Sequence, residues 1–112
     1  METDTYAHGF HAHIYHDDAS KPAAAALRLA VAETFDVTVG AWHDQPVGPQ
    51  PRWSYQLAFE PKLFGDLVPW LALNRNGLTI VIHPDTGDAL ANHRDHALWM
   101  GEMLELNLGL FA

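Results

Sequence analysis

Between Phe10 and Tyr15 apolar and polar positions alternate. Phe10, Ala12 and Ile14 share one parity, and His11, His13 and Tyr15 the other. Period two over such a stretch predicts a strand with one buried face. Ser20 then offers an N-cap, and Pro22 sits just inside the start of a helix, where a fixed φ and a missing N–H cost little. The alanine-rich run through Phe35 carries that helix, with Leu27, Val31 and Phe35 at helical spacing. Val37 to His43 predicts a second strand. Pro46, Pro49 and Pro51 stiffen the loop after it, because each fixes φ and removes a backbone donor. Trp53 to Phe59 is a third strand. Leu63, Leu67 and Leu71 recur every fourth residue and predict a helix to Asn74, with Pro69 as a kink. After an Asn76-Gly77 turn, Leu78 to His83 forms a fourth strand. A tight polar loop, His83 to Asp88, leads to a short helix around His93 to Met100. Leu104, Leu106, Leu108 and Leu110 then alternate with polar residues or Gly and suggest a closing fifth strand.

The order β-α-β-β-α-β is the split βαβ pattern of an α+β, ferredoxin-like sandwich, here with a C-terminal helix/strand extension. Both helices pack on one face of an antiparallel sheet of order 4-1-3-2. The opposite face must be bound to a partner, curled over a ligand, or covered by the extension. A homodimer burying that face or an edge is one expectation.

Composition narrows the classes. At 112 residues the chain reads as a single domain, 1–112, and 48% hydrophobic content with four tryptophans supplies a core. The absence of cysteine removes disulfides, thiolate metal sites and cysteine nucleophiles together. A net charge of −8, from 14 acidic and 6 basic residues, repels phosphate backbones and anionic lipid. The expectation is therefore no nucleic acid and no membrane. The acidic start, Met1 to Asp4, lacks the basic and apolar regions of a signal peptide, so a cytoplasmic location is expected.

Eight histidines remain to be explained. If Phe10, Ala12 and Ile14 face the helices, His11 and His13 lie together on the open face, about 7 Å apart at Cα by strand rise. A fourth strand antiparallel to the first brings His83 beside His11. The end of strand two at His43, and the Gln50–Trp53 segment before strand three, are expected at the same end. Neutral imidazoles are common metal ligands and natural acid–base groups near neutral pH. Three convergent histidines, or two plus a carboxylate, suit non-haem Fe(II) with open positions. The bland alternatives have their own weight. His8 and His16 read as satisfied or solvent-facing bystanders, His43 as a strand end, and His93 and His96 as one exposed helical face. Trp42, Trp53 and Tyr55 line either a pocket for a flat substrate or the core.

Four segments carry a resemblance. Phe10-His11-Ala12-His13-Ile14-Tyr15, Val47-Gly48-Pro49-Gln50-Pro51, His83-Pro84-Asp85-Thr86-Gly87-Asp88, and His93-Arg94-Asp95-His96-Ala97-Leu98-Trp99-Met100-Gly101 resemble the DOPA 4,5-dioxygenase family, in its order and across nearly the whole chain. The resemblance implies an Fe(II)-dependent extradiol dioxygenase that opens a small catechol (DOPA- or caffeate-like) with O2. It further implies His11, His13 and His83 as ligands, His96 or His93 as acid–base residues and His43 in support. Gln50, Arg52 and Tyr55 are the candidate substrate contacts, Arg52 for a carboxylate. The family's loop usually reads Gly-Pro-His-Pro, and Gln50 departs from it. An amide donates and accepts hydrogen bonds but is no base and a poor ligand. That departure motivates a second reading, a non-catalytic small-molecule-binding homologue. A third, a metal-independent ferredoxin-like monooxygenase, has no need of clustered histidines.

Overall fold

In the computed structural model, which describes residues 7–111, the alternating N-terminal stretch is strand β1 (Gly9–His16). Helix α1 (Lys21–Thr34) follows. Ser20 stands at its N-cap, but its hydroxyl is engaged elsewhere. It accepts from the Asp17 backbone N–H at 2.9 Å and donates to the Asp17 carboxylate at 2.9 Å, so it closes a turn between β1 and α1 instead of capping the helix. Strand β2 is only Thr38–Val39, shorter than expected, and His43 retains a single bridge to Ser54. Strand β3 (Trp53–Phe59) matches its expected span. A 3-10 turn, Pro61–Leu63, leads into α2 (Phe64–Asn74), which accommodates Pro69. Strand β4 (Ile80–Asp85) extends through residues whose polarity suggested a loop.

The antiparallel sheet has the order β2-β3-β1-β4-β5, and its first four strands are arranged as the sequence pattern predicts. The C-terminal third differs. The expected helix over His93–Met100 is instead α3 (Ala89–Arg94), capped by the Asp88 carboxylate on the Ala91 N–H at 3.1 Å, followed by strand β5 (Leu98–Met100). β5 takes the free edge of β4, pairing Trp99 with Val81. The leucine alternation from Leu104 to Leu110 forms no strand and ends in a 3-10 turn, Leu108–Phe111. Gly101 explains the change of direction. Its φ is +83°, and a Cβ there would lie 2.9 Å from Arg75 Nη1 and 3.2 Å from Thr79 Oγ1. Only glycine lets the chain leave the edge at that angle.

One face of the sheet holds the apolar core. Ala12, Ile14, Leu57 and Ile80 meet Leu27, Val31, Leu67 and Leu71 from the helices. The other face is buried by different means. Tyr15, Val81 and Leu106 are buried yet stand outside that core. Residues after β5 return across this face, and the Asn107 N–H donates to the Pro49 carbonyl at 2.9 Å, tying the extension to the proline loop. Of the three ways to use the open face, the extension supplies one. No helix among the described residues is long and apolar enough to cross a membrane.

Candidate metal centre

The sheet register builds the histidine group. β1 and β4 pair His11 directly with His83, and His13 follows two residues along β1 on the same face. Directly opposed residues carry side chains on one side, with Cβ atoms about 5 Å apart. The rings of His11 and His13 lie 5.2 Å and 5.1 Å from that of His83. One ring nitrogen from each of the three falls within 4.8 Å of the others. Nitrogens at about 2.1 Å from a shared ion stand roughly 3 Å apart in adjacent positions. The His13 Nε2–His83 Nε2 separation, 3.1 Å, already has that value.

The protonation pattern favours ligation. His83 Nδ1 lies 3.0 Å from the Pro84 carbonyl, which can only accept, so the proton sits on Nδ1 and Nε2 presents its lone pair. A backbone carbonyl on the distal nitrogen is the usual way a ligating imidazole is oriented. Burial pushes His13 down to about 3, reinforced by the facing His83. Burial likewise pushes His83 down to about 4, against partial opposition from the Pro84 carbonyl. His11 is lowered by burial too, with Asp85 opposing. All three are therefore neutral near pH 7, the form a cation requires.

His93 joins them from α3. Its ring is 4.1 Å from that of His83, and Phe111 stacks on it at 4.8 Å. Its Nδ1 donates to the Ala89 carbonyl at 2.7 Å, which leaves the Nε2 lone pair free. His96 is not brought in. The helix ends at Arg94, so His93 and His96 do not share a helical face, and His96 is exposed.

The expectation that His43 and the start of strand three meet His11 is corrected by the antiparallel register. Ala58 faces His11, whereas Ser54, the partner of His43, faces Tyr15, about 13 Å along the strand. Gln50 reaches the same face further along, where it is buried and accepts the Tyr15 phenol hydrogen bond. Burial raises the Tyr15 pKa, with Arg52 opposing, so the phenol stays neutral. Arg52 is exposed and pairs with Glu102 at 3.3 Å. Tyr55 lies on the opposite face. Its register partner is Ile14, and its hydroxyl donates to the Ala24 carbonyl at 2.9 Å, so it belongs to the core and not to a pocket beside the histidines.

His8 is exposed, as expected. His16 is neither satisfied nor solvent-facing. It is 3% exposed, its ring stacks on Trp42 at 4.2 Å, and neither nitrogen has a partner among the described residues. Trp99, stacked parallel to Tyr15, falls in one of the resembling segments but was given no role there, and Phe111 over His93 was not singled out by sequence. Their places depend on how the extension folds back, which no local periodicity encodes.

Comparison with known proteins places this geometry in context. The sequence model of the Dopa 4,5-dioxygenase family matches residues 10–110. An uncharacterized 21.2 kDa protein of Botryotinia fuckeliana is 35% identical over 113 residues, covering 90% of this chain and 62% of that protein. A DOPA 4,5-dioxygenase of Amanita muscaria is 32% identical over 108 residues, covering 88% of this chain and 47% of the fungal one. The chain thus spans about half to three-fifths of the length of these two relatives. The crystal structure of a candidate dioxygenase from Nostoc punctiforme superposes with a TM-score of 0.93 at 47% identity, covering 98% of this chain and 95% of that one.

Proposed function

Because this chain belongs to the Dopa 4,5-dioxygenase family, we propose that it is a dioxygenase that opens a small catechol beside its hydroxyl pair. In this reading His11, His13 and His83 hold Fe(II), and O2 is the second substrate. The observation that carries it is the histidine group itself: three neutral imidazoles with ring nitrogens within 4.8 Å of one another, two of them buried. An all-imidazole set suits a borderline divalent ion better than Ca2+ or Mg2+, which take oxygen. Bound there, Fe(II) would supply adjacent open positions for the catechol oxygens and O2.

The chain's own residues do the rest. The Pro84 carbonyl fixes the His83 tautomer, and burial keeps water from His13 and His83. His93 is the acid–base residue, because its Nε2 is free and its ring faces His83. It takes a proton from a catechol hydroxyl and returns it during ring opening. Gln50 is engaged by the Tyr15 phenol, and His11, His13 and His83 gather without it, so its presence removes no member of the group. This favours an active enzyme over a binding homologue.

The test is oxygen consumption. Protein purified anaerobically and loaded with Fe(II) is offered DOPA, caffeate and protocatechuate, with O2 uptake and visible absorbance followed together. Uptake coupled to a yellow ring-opened product is expected with at least one of them. Iron-loaded protein that turns over none would leave the binding homologue as the better reading, and a gain of turnover in Gln50→His would then locate the loss.

A further inference from the structure

The histidine group is not equally open on all sides. Towards β4 it is closed: His83 is 3% exposed and lies under His93, which Phe111 backs in turn. Along β1 it is closed by Tyr15, filled in by its stacking on Trp99 and its bond to Gln50. Towards β3 it is open. The residue facing His11 there is Ala58, and the residue facing His13 is Gln56, both only half-buried. Beyond Ala58, in register on β2, stands the exposed Thr38.

Across this row the side chains run His83, His11, Ala58, Thr38, and Ala58 is the smallest. A cavity of about 380 Å³ opens at that dip: His11, Ala58 and Thr38 line it, and it runs on past Gly9, Glu60 and Asp85, towards the end of the sheet away from His13. That volume lies within the usual range for small-molecule sites. His11 is therefore shared between the candidate metal group and the cavity. Neighbouring strands are about 4.8 Å apart, so a ring resting on Ala58 lies one strand away from the His11 imidazole.

We propose that the substrate ring lies over β3 in this cavity, with the Ala58 methyl as its floor and His11 at its inner edge. Ala58 is then the specificity-determining residue. The Tyr15–Gln50–Trp99 end is packing that holds the far wall. This assignment rests on reading the histidines as a catechol-binding metal centre. It places the open side of that centre on the β3 flank, away from the Gln50 loop.

The experiment compares the two ends. Binding of 4-nitrocatechol to the Fe(II)-loaded full chain is followed anaerobically by its visible spectrum, with iron content measured in parallel. Ala58→Leu fills the floor and is expected to weaken binding about tenfold or more at unchanged iron content. Gln50→Ala is expected to shift it less than about threefold. Full affinity in Ala58→Leu, with the loss confined to Gln50→Ala, overturns the assignment while leaving the metal centre intact. A wild-type chain that takes up neither iron nor the catechol overturns the underlying reading along with it. Should Ala58→Leu fail to fold, the wild-type chain loaded with Zn(II) answers the same question by NMR. 4-Nitrocatechol is expected to move the amide signals of Ala58 and Thr38, and shifts confined to Gln50 and Trp99 contradict the assignment.

Discussion

Ile14 and His13 are neighbours in β1 and both are buried, but in different surroundings. Ile14 points between the helices into a closed apolar layer, where it meets side chains that gain from losing water. His13 points the other way, into a layer of imidazoles. Burial on the first face stabilises the fold. Burial on the second lowers the histidine pKa values, costs stability as pH falls, and keeps the imidazoles neutral, the form a cation site requires. The variants that follow each act on one of the two faces.

The largest effect is expected at the histidines. His83→Ala should lower Fe(II) affinity by well over the ~10–100-fold that loss of an outer partner costs a metal site. His11→Ala and His13→Ala should do the same. Apo stability should hardly fall in these variants, because the residue removed is an uncharged polar group with few compensating bonds. Anaerobic equilibrium dialysis and urea unfolding measure the two quantities separately. Leu71→Ala is the converse case. It should cost about 2–5 kcal/mol of stability, yet leave one iron per folded chain.

The pH dependence comes next. The folded pKa values of His13 and His83, about 3 and 4, lie below the unfolded value of 6.5. The unfolded state therefore binds more protons as pH falls below about 6.5, and stability falls with it until the folded values are reached. At pH 5 the loss is on the order of 2 kcal/mol per residue. Apo-protein melting should drop between pH 7 and pH 5, and His13→Leu should flatten that slope. An unchanged midpoint over this range would show that the second face is wetter than described.

His16 lies on the helix side of β1, paired with Trp53, yet it carries two unpartnered nitrogens there. His16→Phe should raise stability by about 1 kcal/mol, because it removes two unsatisfied buried groups while keeping a ring on Trp42. The smallest effect is expected for His96→Ala, within about 0.5 kcal/mol in urea unfolding and without change in iron content. His96 is exposed and outside the group.

The sequence carried most of the sheet and the heart of the candidate site. The parity of Phe10 to Tyr15 separates Ile14 from His13 with no further information, and antiparallel pairing then brings His83 to His11. Three things were not legible. The parity of β3 depends on where it begins, so Tyr55 looked available to a pocket although its partner Ile14 puts it in the core. The position of His43 depends on register along the strands, which the strand order alone does not supply. The C-terminal third depends on which edge is free. β5 pairs with β4 because that edge is open, and Gly101 then turns the leucine-rich tail across the histidine face instead of adding it to the sheet. That turn is what positions Phe111 behind His93, and no local pattern of hydrophobic residues could reveal it.

The central claim is that the second face of this sheet is a three-imidazole metal centre. Iron K-edge absorption spectroscopy of the anaerobic Fe(II)-loaded chain tests it most directly. The account predicts the scattering of three imidazoles, with nitrogens at about 2.1 Å, falling to two or vanishing in His83→Ala. An oxygen-only shell, or a spectrum unaltered by His83→Ala, would contradict it.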